Sequence, residues 1–100
     1  VNEVQFLPAA RAEFLEIAAE YAEAAPTLAT DFLAAVERAT QRIGTFPNRG
    51  SPHLAGTRHV VLRRFPISLV YQNEENGCLV IAVAHHRREP GYWRGRIKRR

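Results

Sequence analysis

Pro26 stands between two stretches whose apolar residues recur at helical spacing, and it limits what the first half of the chain can become. Upstream of it, Phe14, Ile17 and Tyr21, with Ala10 and Ala24, fall on one stripe, while Arg11, Glu13, Glu16, Glu20 and Glu23 occupy the remainder. A proline offers no amide hydrogen and its ring clashes with the preceding turn, so the first helix is expected to end there. Downstream, Leu28, Phe32, Val36, Ala39 and Ile43 recur at spacings of three and four, with Thr27 as the expected N-cap and Gly44 and Pro47 closing the run. Two helices joined by only Ala25-Pro26-Thr27 must fold back on each other. The result is an αα-hairpin with an alanine-rich seam.

The rest of the sequence changes period. Glu3 to Leu7 alternates well enough for a short opening strand that Pro8 stops. Asn48-Arg49-Gly50-Ser51-Pro52 is turn chemistry, continuing to Gly56. Arg58 to Phe65 reads as a strand broken by Pro66, and Ile67 to Gln72 as the next. Asn76-Gly77 is a strong hairpin signal leading into Cys78 to His85. That last run is apolar at both parities, with Leu79, Ile81 and Val83 assigned to one face and Val80, Ala82 and Ala84 to the other. A strand of this kind belongs at the centre of a sheet, covered above and below.

The expected architecture is therefore α+β, in the order β-α-α-β-β-β. A helix hairpin packs on one face of a small, mainly antiparallel sheet, as a single domain over residues 1–100, followed by a short basic segment for which a helix is one option. One face of the sheet has no helical layer of its own. Val80, Ala82 and Ala84 must then meet the C-terminal segment or a partner.

Charge is divided unevenly along this architecture. Residues 1–50 carry four arginines against seven carboxylates, whereas residues 51–100 carry ten basic side chains against Glu74, Glu75 and Glu89. Arginine matches the forked geometry of carboxylate and phosphate, so a polyanionic partner is expected, either nucleic acid or an acidic protein segment. No apolar run approaches the roughly 20 residues of a membrane span, no signal-peptide pattern opens the chain, and Cys78 has no second cysteine to pair with. Cytoplasm is the expected compartment, without membrane contact.

Few residues suit covalent or metal chemistry. Ser51 and Ser68 lack a nucleophile-elbow motif, and His53, His59, His85 and His86 show no metal-ligand spacing, so neither a metal nor another cofactor is expected. The remaining cluster is His85-His86-Arg87-Arg88 with Tyr92-Trp93 shortly after, and Arg58, Arg63 and Arg64 on neighbouring strands. Metal-free RNA cleavage needs a base for the 2′-hydroxyl, a cation for the phosphorane and an acid for the leaving oxygen, and His86, Arg64 and Tyr92 have those capacities. The simpler alternative is that the histidines satisfy local hydrogen bonds, Tyr92 and Trp93 pin the tail to the core, and the arginines bind an acidic peptide.

Two stretches carry a resemblance. Arg64-Phe65-Pro66-Ile67-Ser68-Leu69-Val70-Tyr71, and Ala82-Val83-Ala84-His85-His86-Arg87-Arg88-Glu89-Pro90-Gly91-Tyr92-Trp93, set behind Ala9, Phe14, Tyr21, Phe32, Ile43, Pro47, Gly50 and Arg58, resemble the ParE/RelE toxin superfamily. The Arg-Phe-Pro strand and the His-x-Arg-Arg-x-Pro-x-Tyr-Trp ending look more like ParE than RelE. The resemblance implies the toxin of a type II toxin–antitoxin pair, forming a hetero-oligomer with an acidic antitoxin, ParD-like or other. Arg58, Arg63, Arg64, Val80, Ala82 and Ala84 are the expected antitoxin-binding residues.

ParE-type toxins stall DNA gyrase with cut DNA, whereas RelE-type toxins cut mRNA in the ribosome. RelE-like sites use an arginine and a tyrosine near the C-terminal end. Tyr92 matches the tyrosine, but the arginine position falls at or near His86, and the earlier lysines have no counterpart because Lys98 is the only lysine. The resemblance thus implies a gyrase-binding inhibitor rather than an enzyme, with Arg87, Arg88, Tyr92, Trp93, Arg94 and Arg96 as target-binding candidates. A ribosome-dependent mRNA endonuclease using Arg64, His86 and Tyr92 is the alternative. A third is a member that has kept only antitoxin binding.

Overall fold

The computed structural model describes residues 2–97. Strand β1 (Glu3–Phe6) leads into helices α1 (Pro8–Ala24) and α2 (Pro26–Thr45), followed by β2 (Ser51–Pro52), β3 (Arg58–Val61), β4 (Ile67–Glu74) and β5 (Gly77–His85). The sheet order is β1-β5-β4-β3-β2. β5 is flanked by β1 in parallel and β4 in antiparallel, as its two apolar faces require, and the remaining pairings are antiparallel.

Pro26 does more than end α1. It occupies the first turn of α2, where its fixed φ is already helical and its missing amide hydrogen is not needed. The preceding residue, Ala25, takes the N-cap position with an extended backbone (φ −166°, ψ 133°), so the expected Thr27 cap is not formed. α1 likewise begins on a proline, Pro8, without a side-chain cap. The hairpin is thus set by two prolines rather than by capping hydroxyls.

The larger core lies between the hairpin and the sheet, with Phe32 at its centre and fully buried. Its ring meets those of Phe14, Tyr21 and Phe65, with centroids 5.7, 5.4 and 5.7 Å away, in tilted or edge-on arrangements that suit aromatic quadrupoles.

The face assignment of β5 is corrected by a register shift. Tyr71 pairs with Val80 and Val70 with Ala82, so Ile81 is an extra residue in the ladder. Val80 joins Cys78 and Val83 under the helices, while Ile81 and Ala82 both belong to a second core with Val70 and Trp93. The C-terminal segment covers that second face: Trp93, Tyr92 and Ile97 pack there with Leu54. Its expected helix is only a 3-10 turn at Arg94–Arg96, and the basic tail from residue 98 lies outside the described residues. Val80 and Ala82 are wholly buried by the chain itself and so are not open to an antitoxin, whereas Ala84 is half-buried at the wall of a cleft.

The strand expected over Arg58 to Phe65 stops at Val61, because the chain turns early and places Arg64 at φ 69°. A left-handed conformation costs an L-residue roughly 1–2 kcal/mol and glycine almost nothing. Thermal unfolding should therefore find Arg64→Gly at or slightly above wild-type stability and Arg64→Val about 1 kcal/mol below it. Equal losses in both variants would show that this backbone conformation is not what the position responds to.

Candidate functional site

Glu13 organises the C-terminal segment. It sits on α1 with its side chain only 11% exposed, beside β5 where β1 has ended. Its Oε1 accepts hydrogen bonds from the Val83 amide at 3.1 Å and Arg96 Nη1 at 2.8 Å. Its Oε2 accepts from the Tyr92 hydroxyl at 2.6 Å, Arg96 Nη2 at 3.0 Å and Arg88 Nη1 at 3.1 Å. Arg96 Nη1 also reaches the Ile81 carbonyl at 3.1 Å, and the Arg88 guanidinium lies 3.6 Å over the Tyr92 ring. One turn-pair further along α1, Glu20 meets Arg87 at 3.4 Å. The acidic helix and the basic ending are thus partners within one chain.

These contacts fix protonation states. Burial alone would raise the Glu13 carboxyl, but the hydrogen bonds from Arg96, Tyr92 and Val83 outweigh it and hold the group below the ordinary carboxylate value. Burial, and then the bond to Glu13, push the Tyr92 hydroxyl well above the ordinary tyrosine value. A phenol so reluctant to ionise is a poor proton donor to a leaving oxygen.

On the second sheet face, all four histidines of the chain line one cleft of about 320 Å³ that also includes Ser68 and Trp93. The His53 and His59 rings stack in parallel with centroids 4.1 Å apart, and Trp93 lies 5.6 Å from His53. His86 Nε2 shares a 2.8 Å hydrogen bond with Ser68 Oγ, and its amide donates to the Pro66 carbonyl. Among the described residues no group of three or more His, Cys, Asp and Glu side chains is arranged to hold a metal ion. Burial, then the neighbouring His53 and His86, lower the affinity of His59 for a proton; burial, then Arg87 and His86, do the same for His85.

The sign of the pH dependence follows. His59 in the unfolded chain takes up a proton near pH 6.5 while the folded chain resists, so stability should decline as pH falls from that value toward the lower folded one. Glu13 contributes stability that is complete above its ordinary value of 4.5 and lost as pH falls through its depressed folded value. Urea unfolding followed by Trp93 fluorescence should show two acid-labile ranges, the first reduced by His59→Gln and removed when His85→Gln is added, and the second removed by Glu13→Gln. A single range unaffected by any of these variants would contradict these assignments.

The residues expected to form an RNase are only partly assembled. His86 and Tyr92 line the histidine cleft. Arg64 does not: it lies on the β3–β4 turn, largely exposed, with its guanidinium 3.6 Å from Asp31 on α2. Trp93, expected as an exposed anchor, is 1% exposed and belongs to the second core, while Arg87 and Arg94 remain open to solvent. Arg88 and Arg96 are drawn onto Glu13. Arg58 donates to the Gly50 carbonyl at 2.7 Å, and Arg63 is exposed on the turn. Sequence reading missed Glu13 altogether. Its seven-residue spacing to Glu20 places both carboxylates on the same side of α1, but Glu16 and Glu23 share that spacing, so it did not mark Glu13 out.

The family model described as the ParE toxin of the type II toxin–antitoxin system parDE matches residues 4–90. The chain belongs to the ParE toxin family. A solved structure described as the chromosomal ParDE toxin–antitoxin system from P. aeruginosa is similar to it, with a TM-score of 0.73 over 84% of this chain and 95% of that one, at 16% identity. At that identity the likeness concerns the fold: two helices on a five-stranded mixed sheet. None of the curated proteins matches the sequence. Among the described residues no helix of this ParE-family chain is long and apolar enough to cross a membrane.

Proposed function

We propose that this toxin inhibits DNA gyrase by binding it in the cytoplasm, without chemistry of its own, and is silenced by an acidic, ParD-like antitoxin. The observation that carries the reading is the engagement of Tyr92 and Arg96 by Glu13. The hydroxyl that the RNase alternative would use as an acid is committed to a carboxylate, and the arginine expected to help it, Arg64, points to the helix side. What the C-terminal segment offers outward is charge, chiefly Arg87 and Arg94 on a base held rigid by Trp93. An acidic partner is supported by the excess of ten basic over three acidic side chains in the second half, of which Arg63, Arg87 and Arg94 are exposed.

Inducible expression in bacteria without antitoxin tests this directly, with DNA-damage signalling and message integrity followed in one culture. The expected result is filamentation and damage signalling with intact messages. One observation favours a second reading, an mRNA endonuclease: His86 and Tyr92 share the cleft with His59 and Ser68. Rapid message cleavage without damage, abolished by His86→Ala, would establish that reading and overturn ours. Normal growth with the protein present would leave only a non-toxic binding module.

A further inference from the structure

The sandwich is open on one side. The helices pack chiefly over β5 and β1, while β2 is two residues long and covers only Arg58 and His59 of β3. Between the end of α2 and the edge of β3 this leaves a cleft of about 490 Å³. Ile43, Val60 and the Tyr71 ring form its floor, Arg42 and Arg49 stand on its rim, and among the described residues no carboxylate lines it. Phe46 and Val61 flank it, 46% and 53% exposed, and the Arg49 guanidinium lies 4.5 Å over the Phe46 ring.

The loop that presents Phe46 and Arg49 is held firmly. The buried Tyr71 hydroxyl donates to the Pro47 carbonyl at 2.7 Å and accepts from the Gly50 amide at 3.2 Å. Arg58 fixes the Gly50 carbonyl, and the Asn73 amide donates to Asn48 Oδ1 at 2.7 Å. A Cβ on Gly50 would collide with the Tyr71 hydroxyl, so the approach is close enough to require glycine. An aromatic held outward by a rigid loop, with arginine stacked on it, has little ordering entropy left to lose on binding.

We propose that this cleft seats an acidic segment of the antitoxin, with one apolar side chain entering over Val60 and flanking carboxylates on Arg42 and Arg49. The inference rests on the reading that the chain pairs with an acidic antitoxin. Charge complementarity selects such an occupant: two arginines without a local carboxylate attract acid, and an apolar floor is filled by a side chain. A nucleic-acid backbone would pair with the arginines and leave that floor empty. This location replaces the filled strip around Val80 and Ala82.

The test measures affinity of the full chain for its cognate antitoxin, amide exchange in the complex, and growth inhibition without antitoxin. Phe46→Ala and Arg49→Glu should each weaken the complex by about tenfold or more, as removal of an interface anchor does. Both should keep the wild-type unfolding midpoint and growth inhibition, because both side chains are exposed. Residues 46–51 and 60–61 should gain protection from exchange in the wild-type complex. Wild-type affinity in both variants, without such protection, would overturn the proposal. So would loss of growth inhibition at unchanged antitoxin affinity, which would assign the cleft to the target. Binding of a labelled single-stranded DNA oligonucleotide that depends on Arg42 and Arg49, with antitoxin affinity unchanged, would assign it to nucleic acid instead. If the wild-type chain binds no antitoxin, the pairing itself fails and the cleft assignment falls with it.

Discussion

Glu13→Ala should destabilise the fold by about 3 kcal/mol and loosen the C-terminal segment from the sheet. The carboxylate accepts from Val83, Tyr92, Arg88 and Arg96, and its side chain is 11% exposed. Removing one partner of such a cluster leaves the others desolvated and unpaired, which costs about 3–5 kcal/mol in a fully buried case. Here the figure sits at the low end. Arg88 is half exposed and its pair with Glu13 contributes little, while Arg96 can regain some water. Glu13→Gln should lose roughly half as much, since its carbonyl oxygen can still accept while its amide faces the arginines. Urea unfolding with Trp93 fluorescence gives the energies, and amide exchange over residues 86–97 gives the loosening. A loss under about 0.5 kcal/mol, as at an ordinary surface position, would mean that the second core alone holds the segment.

Phe32→Ala should cost about 3–5 kcal/mol. Phe32 is wholly buried between α1, α2 and the sheet, and its ring touches three others that cannot collapse together into the space it leaves. That cost is a large part of the stability of a 100-residue fold, so the variant should fold incompletely at growth temperature. Phe32→Leu should keep much of the loss away. A Phe32→Ala cost under about 1 kcal/mol would undo the helix-face assignment on which the hairpin was built.

The hairpin was legible because periodicity is a local property: Phe14 and Tyr21 with Ile17, and Phe32 with Leu28 and Val36, announce their faces at spacings of three and four. β5 was legible for the same reason, since the unbroken apolar run from Cys78 to Ala84 leaves it no solvent face. Some departures are local, such as the Thr27 cap that Ala25 replaces and the strand that ends at Val61, but those that shape the site are non-local. One inserted residue, Ile81, moved Val80 to the other side of the sheet, and nothing in Leu79-Val80-Ile81-Ala82 marks where a ladder shifts. Glu13 looks like any carboxylate on a solvated helix, and only the return of the chain 70 residues later brings the Val83 amide to it. The convergence of His53 and His59 with His85 and His86 likewise depends on strand order. Trp93 was assigned to target binding, with a pin for the tail as the simpler alternative, and its burial against Val70, Ile81 and Ala82 is that of the pin. The resemblance carried the family, which the match over residues 4–90 supports, while the target lies beyond what fold likeness can give.

The central claim, inhibition of gyrase by binding alone, is most directly tested with purified gyrase and supercoiled-DNA relaxation and cleavage assays. The antitoxin-free chain should inhibit supercoiling and accumulate cut DNA, antitoxin should reverse this, and Arg87→Glu with Arg94→Glu should abolish it while His86→Ala does not. Unimpaired gyrase at saturating toxin, from a preparation that stops growth in cells, would rule out gyrase as the target.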